Sequence, residues 1–156
     1  MQAPLPLLGK ETKPTALMCI LGVWLDPRLN WGAHVKKVLE KIETHTNALL
    51  RTTASTWGAT FVRAKQIYNA VIRPAIAYGA AIWHTPTPTE GRKSIKPIGA
   101  AAKLAKVQNK CLQAIAGAYR ATPTSVLEVE TSIPPLDLYL NKRISAFQAR
   151  HKRKGI

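Results

Sequence analysis

From Trp31 to Arg51 the apolar residues return at helical spacing, at Trp31, Val35, Val38, Leu39, Ile42 and Leu49. Lys36, Lys37, Glu40, Lys41 and Glu43 take the other side. A stripe of this kind is stable only against another element, so it predicts an amphipathic helix of about five turns resting on a core. Asn30 stands where a helix N-cap belongs. Whatever else the chain forms must supply the surface that this helix covers.

Helical periods recur downstream. Ile67, Val71, Tyr78 and Ile82 lie on one side of a stretch from about Thr60 to Trp83, with Tyr68, Ile72, Ile76 and Trp83 beside them. Apolar residues on most of the circumference predict a central, buried helix, kinked or restarted at Pro74. A third helix is expected over about Gly99–Tyr119, with Leu104, Val107, Cys111 and Ile115 as its apolar stripe. A short one is expected through Glu130, capped by Thr124 or Ser125, and a last one over Leu136–Arg150 with Leu138, Leu140, Ile144 and Phe147 in the core. Thr52–Gly58 and His84–Pro97 read as breaks, the second through Pro86, Pro88 and Pro97.

Ahead of these helices, Met1–Pro14 reads as extended or loose. Ala16–Leu25 is a continuous apolar run of β-formers, bent at Gly22 and ended by Asp26-Pro27. The expected fold is mainly α: a small N-terminal β-hairpin followed by a helical bundle. Its divisions are an extended segment and hairpin over 1–29, a helical domain over 30–150 and a basic tail over 151–156.

Charge sets the class of partner. The chain carries 23 Lys+Arg against 8 Asp+Glu, a formal net charge of +15, which calls for a polyanion and above all nucleic acid. The excess is uneven. Arg92–Arg120 holds Arg92, Lys93, Lys96, Lys103, Lys106, Lys110 and Arg120 and no acid. Lys103, Lys106 and Lys110 fall at i, i+3 and i+7, one stripe of a helix whose apolar stripe lies elsewhere. A solvated face ordinarily mixes both signs, so this one is read as a binding face.

Catalytic chemistry is poorly provided for. Metal-assisted phosphoryl transfer needs converging carboxylates. Glu40 and Glu43 are interleaved with lysines and read as intrahelical ion pairs. Glu128 and Glu130, two apart, point in different directions on a helix. The 4 histidines and 2 cysteines show no zinc spacing, and Cys19 and Cys111 read as core residues. No glycine-rich phosphate loop or nucleophile elbow occurs. The tryptophans, Trp24, Trp31, Trp57 and Trp83, read as core anchors. Met1–Lys10 is too short and too broken for a signal peptide, and Ala70–Trp83, interrupted by Arg73 and Pro74, is too short to span a membrane. The expectation is a soluble intracellular protein with no membrane partner and no cofactor.

Four segments, in order, resemble the region after the palm in reverse transcriptases of non-LTR retrotransposons of the kind common in fungal genomes. They are Ile20-Leu-Gly-Val-Trp-Leu-Asp-Pro-Arg-Leu-Asn-Trp31 followed by His34; Tyr68-Asn-Ala-Val-Ile-Arg-Pro-Ala-Ile-Ala-Tyr-Gly-Ala-Ala-Ile-Trp83; Leu104–Thr122, with Ala116-Gly-Ala-Tyr-Arg-Ala-Thr-Pro123; and Thr131–Leu140, with Ile133-Pro-Pro-Leu136. The resemblance covers about Thr15–His151.

It implies that Leu21 and Gly22 form a primer grip, where glycine permits close approach of a strand. It implies that the helices form a thumb holding the template–primer duplex, an RNA–DNA hybrid or DNA, by its phosphates. The nucleic-acid-binding candidates are then Leu21, Gly22, Lys36, Lys37, Arg63, Arg73, Lys103, Lys106, Lys110 and Arg120. Arg73 and Arg120 lie inside matching segments; the other basic residues follow from charge and helical face. The family's metal-binding aspartates precede the first match and its ribonuclease H domain follows the last. The chain by itself is therefore expected to be no enzyme, to carry no metal, and to have the missing palm as a partner. The competing readings are a self-contained basic helical protein that binds DNA or RNA, and a scaffold module that binds neither.

Overall fold

Two left-handed residues in succession turn the apolar run back on itself. Leu21 (φ 49°) and Gly22 (φ 81°) join β3 (Met18–Ile20) to β4 (Val23–Leu25), with Ile20 opposite Val23 and Met18 opposite Leu25. Positive φ at both turn residues matches the twist of the flanking strands, as in a two-residue type I′ hairpin. The structure is a computed structural model that describes residues 5–7, 10–12, 16–53, 58–86 and 99–153. Upstream, β1 (Leu5–Leu7) and β2 (Lys10–Thr12) also pair antiparallel, so part of the segment expected to be extended or loose is extended and forms a second small hairpin.

The remaining elements are helical, and the expected mainly α architecture is the observed one. In order they are α1 (Gly32–Thr52), α2 (Phe61–Ile67), a π-helical turn (Tyr68–Ile72), α3 (Arg73–Ile76), α4 (Ala80–Trp83), α5 (Ala100–Ala116), α6 (Thr124–Thr131) and α7 (Leu136–Arg153). Val35, Ile42 and Leu49 of α1 meet Tyr68, Ile72 and Ile76, Leu104 and Leu112 of α5, Leu127 of α6 and Leu140 of α7 in one core. Tyr68 is fully buried. Its hydroxyl donates to Gln108 Oε1 at 2.8 Å, and Gln108 Nε2 donates to the Pro134 carbonyl at 3.1 Å. Three segments thus share one satisfied polar chain inside the core. Cys111 is buried against Thr46, whose hydroxyl lies 3.7 Å from its sulfur. Burial pushes its thiol up to about 11, partly opposed by that contact.

The helix restarts at Pro74, as expected: α3 begins at Arg73 with Pro74 in its first turn. A proline ring would strike the carbonyl four residues back in a regular helix. The helix instead widens into the π turn just before it, where the Arg73 amide donates to the Tyr68 carbonyl, and it ends beyond Ile76, with Gly79 at φ 66° ahead of α4. Several other expectations are corrected by packing, and the segment is not central. Tyr68, Ile72, Ile76 and Trp83 face the core, while Ile67, Val71, Tyr78 and Ile82 are exposed, because its packing partners all lie on one side.

Phe147 is half exposed: Ile144 is the last buried residue of α7, and Phe147 rests instead on His151, ring centroids 4.3 Å apart. Cys19 is exposed as well, since β3 faces solvent throughout and the hairpin buries Val23 of β4.

The caps differ too. Trp31, left-handed, occupies the N-cap of α1, and the Asn30 amide donates to Asp26 Oδ1 at 2.9 Å in the preceding turn. Pro123 takes the N-cap of α6, and the Thr124 hydroxyl donates to Asn109 at 3.1 Å. His151–Arg153 continue α7 rather than starting a tail. Trp57, Arg92, Lys93 and Lys96, and most of the expected loops, lie outside the described residues.

Candidate nucleic-acid interface

The C-terminal end of α5 places three of the sequence-predicted cations together. Lys106 and Lys110 are one helical turn apart and both exposed. Gly117, left-handed at φ 60°, ends the helix, and the Ala118 amide donates to the Gln113 carbonyl at 3.0 Å. This reversal brings Arg120 back alongside, where Gln113 Nε2 donates to the Arg120 carbonyl at 3.1 Å. Lys106, Lys110 and Arg120 line an open cavity of about 700 Å³ with Asn109 and Gln113. No carboxylate among the described residues lines it. Cations and amide donors without a local acid suit phosphate oxygens, which amides and cations bind without reading sequence. Lys103, exposed one turn earlier, extends the stripe but does not line the cavity.

A second cavity, of about 630 Å³, lies where the hairpin meets the helices. Gly22, Trp24, His34, Lys37, Lys41 and Tyr78 are among its walls. Gly22 packs on the Tyr78 ring: a Cβ there would lie 3.3 Å from Cε1. Leu21, at 87% exposure, is the most outlying point of the hairpin, and its carbonyl accepts the Tyr78 hydroxyl. Lys37 is engaged, pairing with Glu40 at 3.0 Å and lying 5.9 Å from the Trp24 ring centroid, within cation–π range. Lys36, exposed on α1, lies outside this wall.

His34 is buried below this cavity. The Trp24 amide donates to its Nδ1 at 3.4 Å, which leaves the proton of the neutral ring on Nε2. Nε2 itself is buried without a hydrogen-bond partner. Burial lowers the pKa of this ring from 6.5, and the nearby Tyr78 backbone opposes the shift.

Arg73 is partly buried and stands over the Tyr139 ring, 3.8 Å from its centroid. It lines a third cavity with Tyr139, Lys142 and Arg143. Arg63 is exposed on α2 and lines none of the three. Seven of the ten candidates therefore fall into three separate groups: Lys106, Lys110 and Arg120; Leu21, Gly22 and Lys37; and Arg73 alone among cations not singled out; Lys36, Arg63 and Lys103 line none of these cavities. Lys41, Lys142, Arg143 and Tyr139 were missed. Lys41 carried a signal, one turn beyond Lys37. The Lys142-Arg143 pair carried another, on a helix with no acid after Asp137. Among the described residues no three His, Cys, Asp or Glu side chains cluster as a metal site, and no helix is long and apolar enough to cross a membrane.

Comparison with known proteins gives a distant relationship. The chain is 23% identical over 138 residues to the "Putative 115 kDa protein in type-1 retrotransposable element R1DM" of Drosophila melanogaster. The match takes in 88% of this chain and 13% of that protein, so the chain spans about an eighth of the relative's length. No family model matches, and no solved structure matches. The chain is thus similar, over most of its length, to a segment of a retrotransposon protein.

Proposed function

We propose that the chain is a nucleic-acid-holding segment of a retrotransposon reverse transcriptase, one that grips the template–primer duplex by its phosphates and carries no catalytic palm. The observation that supports this reading best is the convergence of Lys106, Lys110 and Arg120 on one cavity lined by no acid among the described residues, in a chain of net charge +15. The hairpin turn at Leu21-Gly22, held against Tyr78, gives the primer-grip role an exposed and anchored backbone. The chain by itself is not an enzyme in this reading. Its partners are the duplex and the palm of the parent polymerase.

Binding of the purified chain to a labelled RNA–DNA hybrid and to a DNA duplex of unrelated sequence, across a salt series, tests it. The expected result is similar affinity for both and a linear fall of log K with log salt, as counterions are displaced from phosphates. Absence of binding at low salt from a folded sample rejects the role, and strong preference for one sequence points instead to a specific DNA- or RNA-binding protein.

A further inference from the structure

The cavity beside Arg73 is built differently from the other two. Its volume is about 560 Å³, within the range of small-ligand sites. Arg73, Lys142 and Arg143 bring three cations to it from two helices, and no acid among the described residues lines it. Pro134, Leu138 and Ala146 add an apolar wall. Arg73 is not a free surface charge. The π turn sets the start of α3, so the guanidinium lies on the Tyr139 ring, while Nη1 donates to Asn69 Oδ1 at 3.2 Å. Its Nε is buried and has no hydrogen-bond partner. π turns recur at functional sites because they re-aim a side chain at the cost of helical regularity. Lys142 and Arg143 are exposed at the rim and make no ion pair among the described residues.

A guanidinium seated on an aromatic ring with a buried donor unspent, two exposed cations and an apolar wall fit a compact oxyanion attached to a less polar body. We infer that this is a phosphate-binding pocket, which takes one phosphate group of a nucleotide or of a polynucleotide. It is separate from the Lys106–Lys110–Arg120 cavity. It rests on the reading above only in counting a polynucleotide among the sources of that phosphate.

The test follows the Arg73 Nε–Hε resonance of the full ¹⁵N-labelled chain during titration with thymidine 5′-monophosphate, with a thymidine tetranucleotide lacking terminal phosphate, with thymidine, and with a tetraglutamate peptide. A saturable shift with either phosphate probe, and none with thymidine or tetraglutamate, is expected. Response to the mononucleotide alone identifies a terminal phosphate, and response to the tetranucleotide identifies the backbone. The exposed pair K142Q/R143Q should leave the fold intact and weaken that response at least about tenfold, the size of a lost charge-assisted hydrogen bond. No saturable shift in a folded sample, an equal shift with tetraglutamate, or an unchanged response in K142Q/R143Q overturns the inference. Duplex binding measured alongside separates the two readings. A chain that shifts with mononucleotide but ignores duplex keeps the pocket and loses the proposed function. One that binds duplex without the shift does the reverse.

Discussion

The Tyr78 hydroxyl donates a hydrogen bond to the Leu21 carbonyl across 57 residues of sequence, tying the tip of the β3–β4 hairpin to the break between α3 and α4. The hairpin otherwise buries little beyond Val23. Tyr78→Phe should therefore loosen the hairpin locally. We expect faster amide exchange at Met18–Leu25, with a global stability loss at the low end of the roughly 0.5–1.5 kcal/mol of a net hydrogen bond, since the bond is exposed. Unchanged exchange in the hairpin would show that Val23 alone holds it.

Gly79 and Gly117 are both left-handed, at φ 66° and 60°, but their surroundings differ. A Cβ at Gly79 would lie 3.1 Å from Val23 Cγ2, whereas at Gly117 it would meet open space. Gly117→Ala should cost only the left-handed strain, about 1–2 kcal/mol. Gly79→Ala should cost more, because it also presses on the residue that seats the hairpin. Urea unfolding of the two variants measures the difference, and equal losses would mean that Val23 yields freely.

Tyr68→Phe removes the donor to Gln108 inside the core. The ring volume is kept, so the main loss is an unsatisfied buried Gln108 Oε1, worth about 1–3 kcal/mol. The melting temperature should fall by roughly 2–4 °C for each kcal/mol of stability removed in a chain of this size. A variant as stable as the parent would mean that Gln108 finds another donor.

His34 gives a pH dependence of known sign. Its pKa is lowered in the fold from 6.5, so below that pH the unfolded chain takes up a proton that the folded chain refuses. Stability should be level above about pH 7 and decline as pH falls from 6.5 toward the folded pKa. His34→Gln should flatten urea-unfolding midpoints between about pH 7 and pH 5.5, the part of the window above most carboxylate titration. Parallel profiles for both proteins would assign the dependence to another group.

The basic cavity on α5 makes a quantitative claim about salt. The triple variant K106Q/K110Q/R120Q should reduce the slope of log K against log salt by up to about 0.9 for each phosphate it no longer neutralises. Arg63→Gln, outside the cavities, should change it less. Equal effects of the triple variant and Arg63→Gln, charge for charge, would indicate binding by net charge rather than at this cavity.

Periodicity and turn chemistry made much of the fold legible. The α1 stripe at Val35, Ile42 and Leu49 and the α5 stripe at Leu104, Cys111 and Ile115 are buried as their spacing requires. The turn at Gly22 falls where the apolar run had to bend. Lys106 and Lys110 share an exposed face for the same reason: 3.6 residues per turn decides which side chains stand together, whatever the helix packs on.

What spacing cannot decide is which face is covered and where a reversal points. Ile67 and Tyr68 are neighbours of similar character, yet Tyr68 is fully buried and Ile67 is exposed, because the core lies on one side only. Phe147 continues the period of Leu140 and Ile144 past the end of the core. Arg120 reaches the lysines of α5 through one left-handed glycine, and Arg73 meets Tyr139 through a π turn that a proline makes favourable. Local geometry and composition account for most of the helices, their apolar stripes and the excess of positive charge, but not for the β1–β2 hairpin, the π turn or the caps. Which cations converge follows from the packing, because convergence depends on how distant segments meet and on the direction each turn gives the chain.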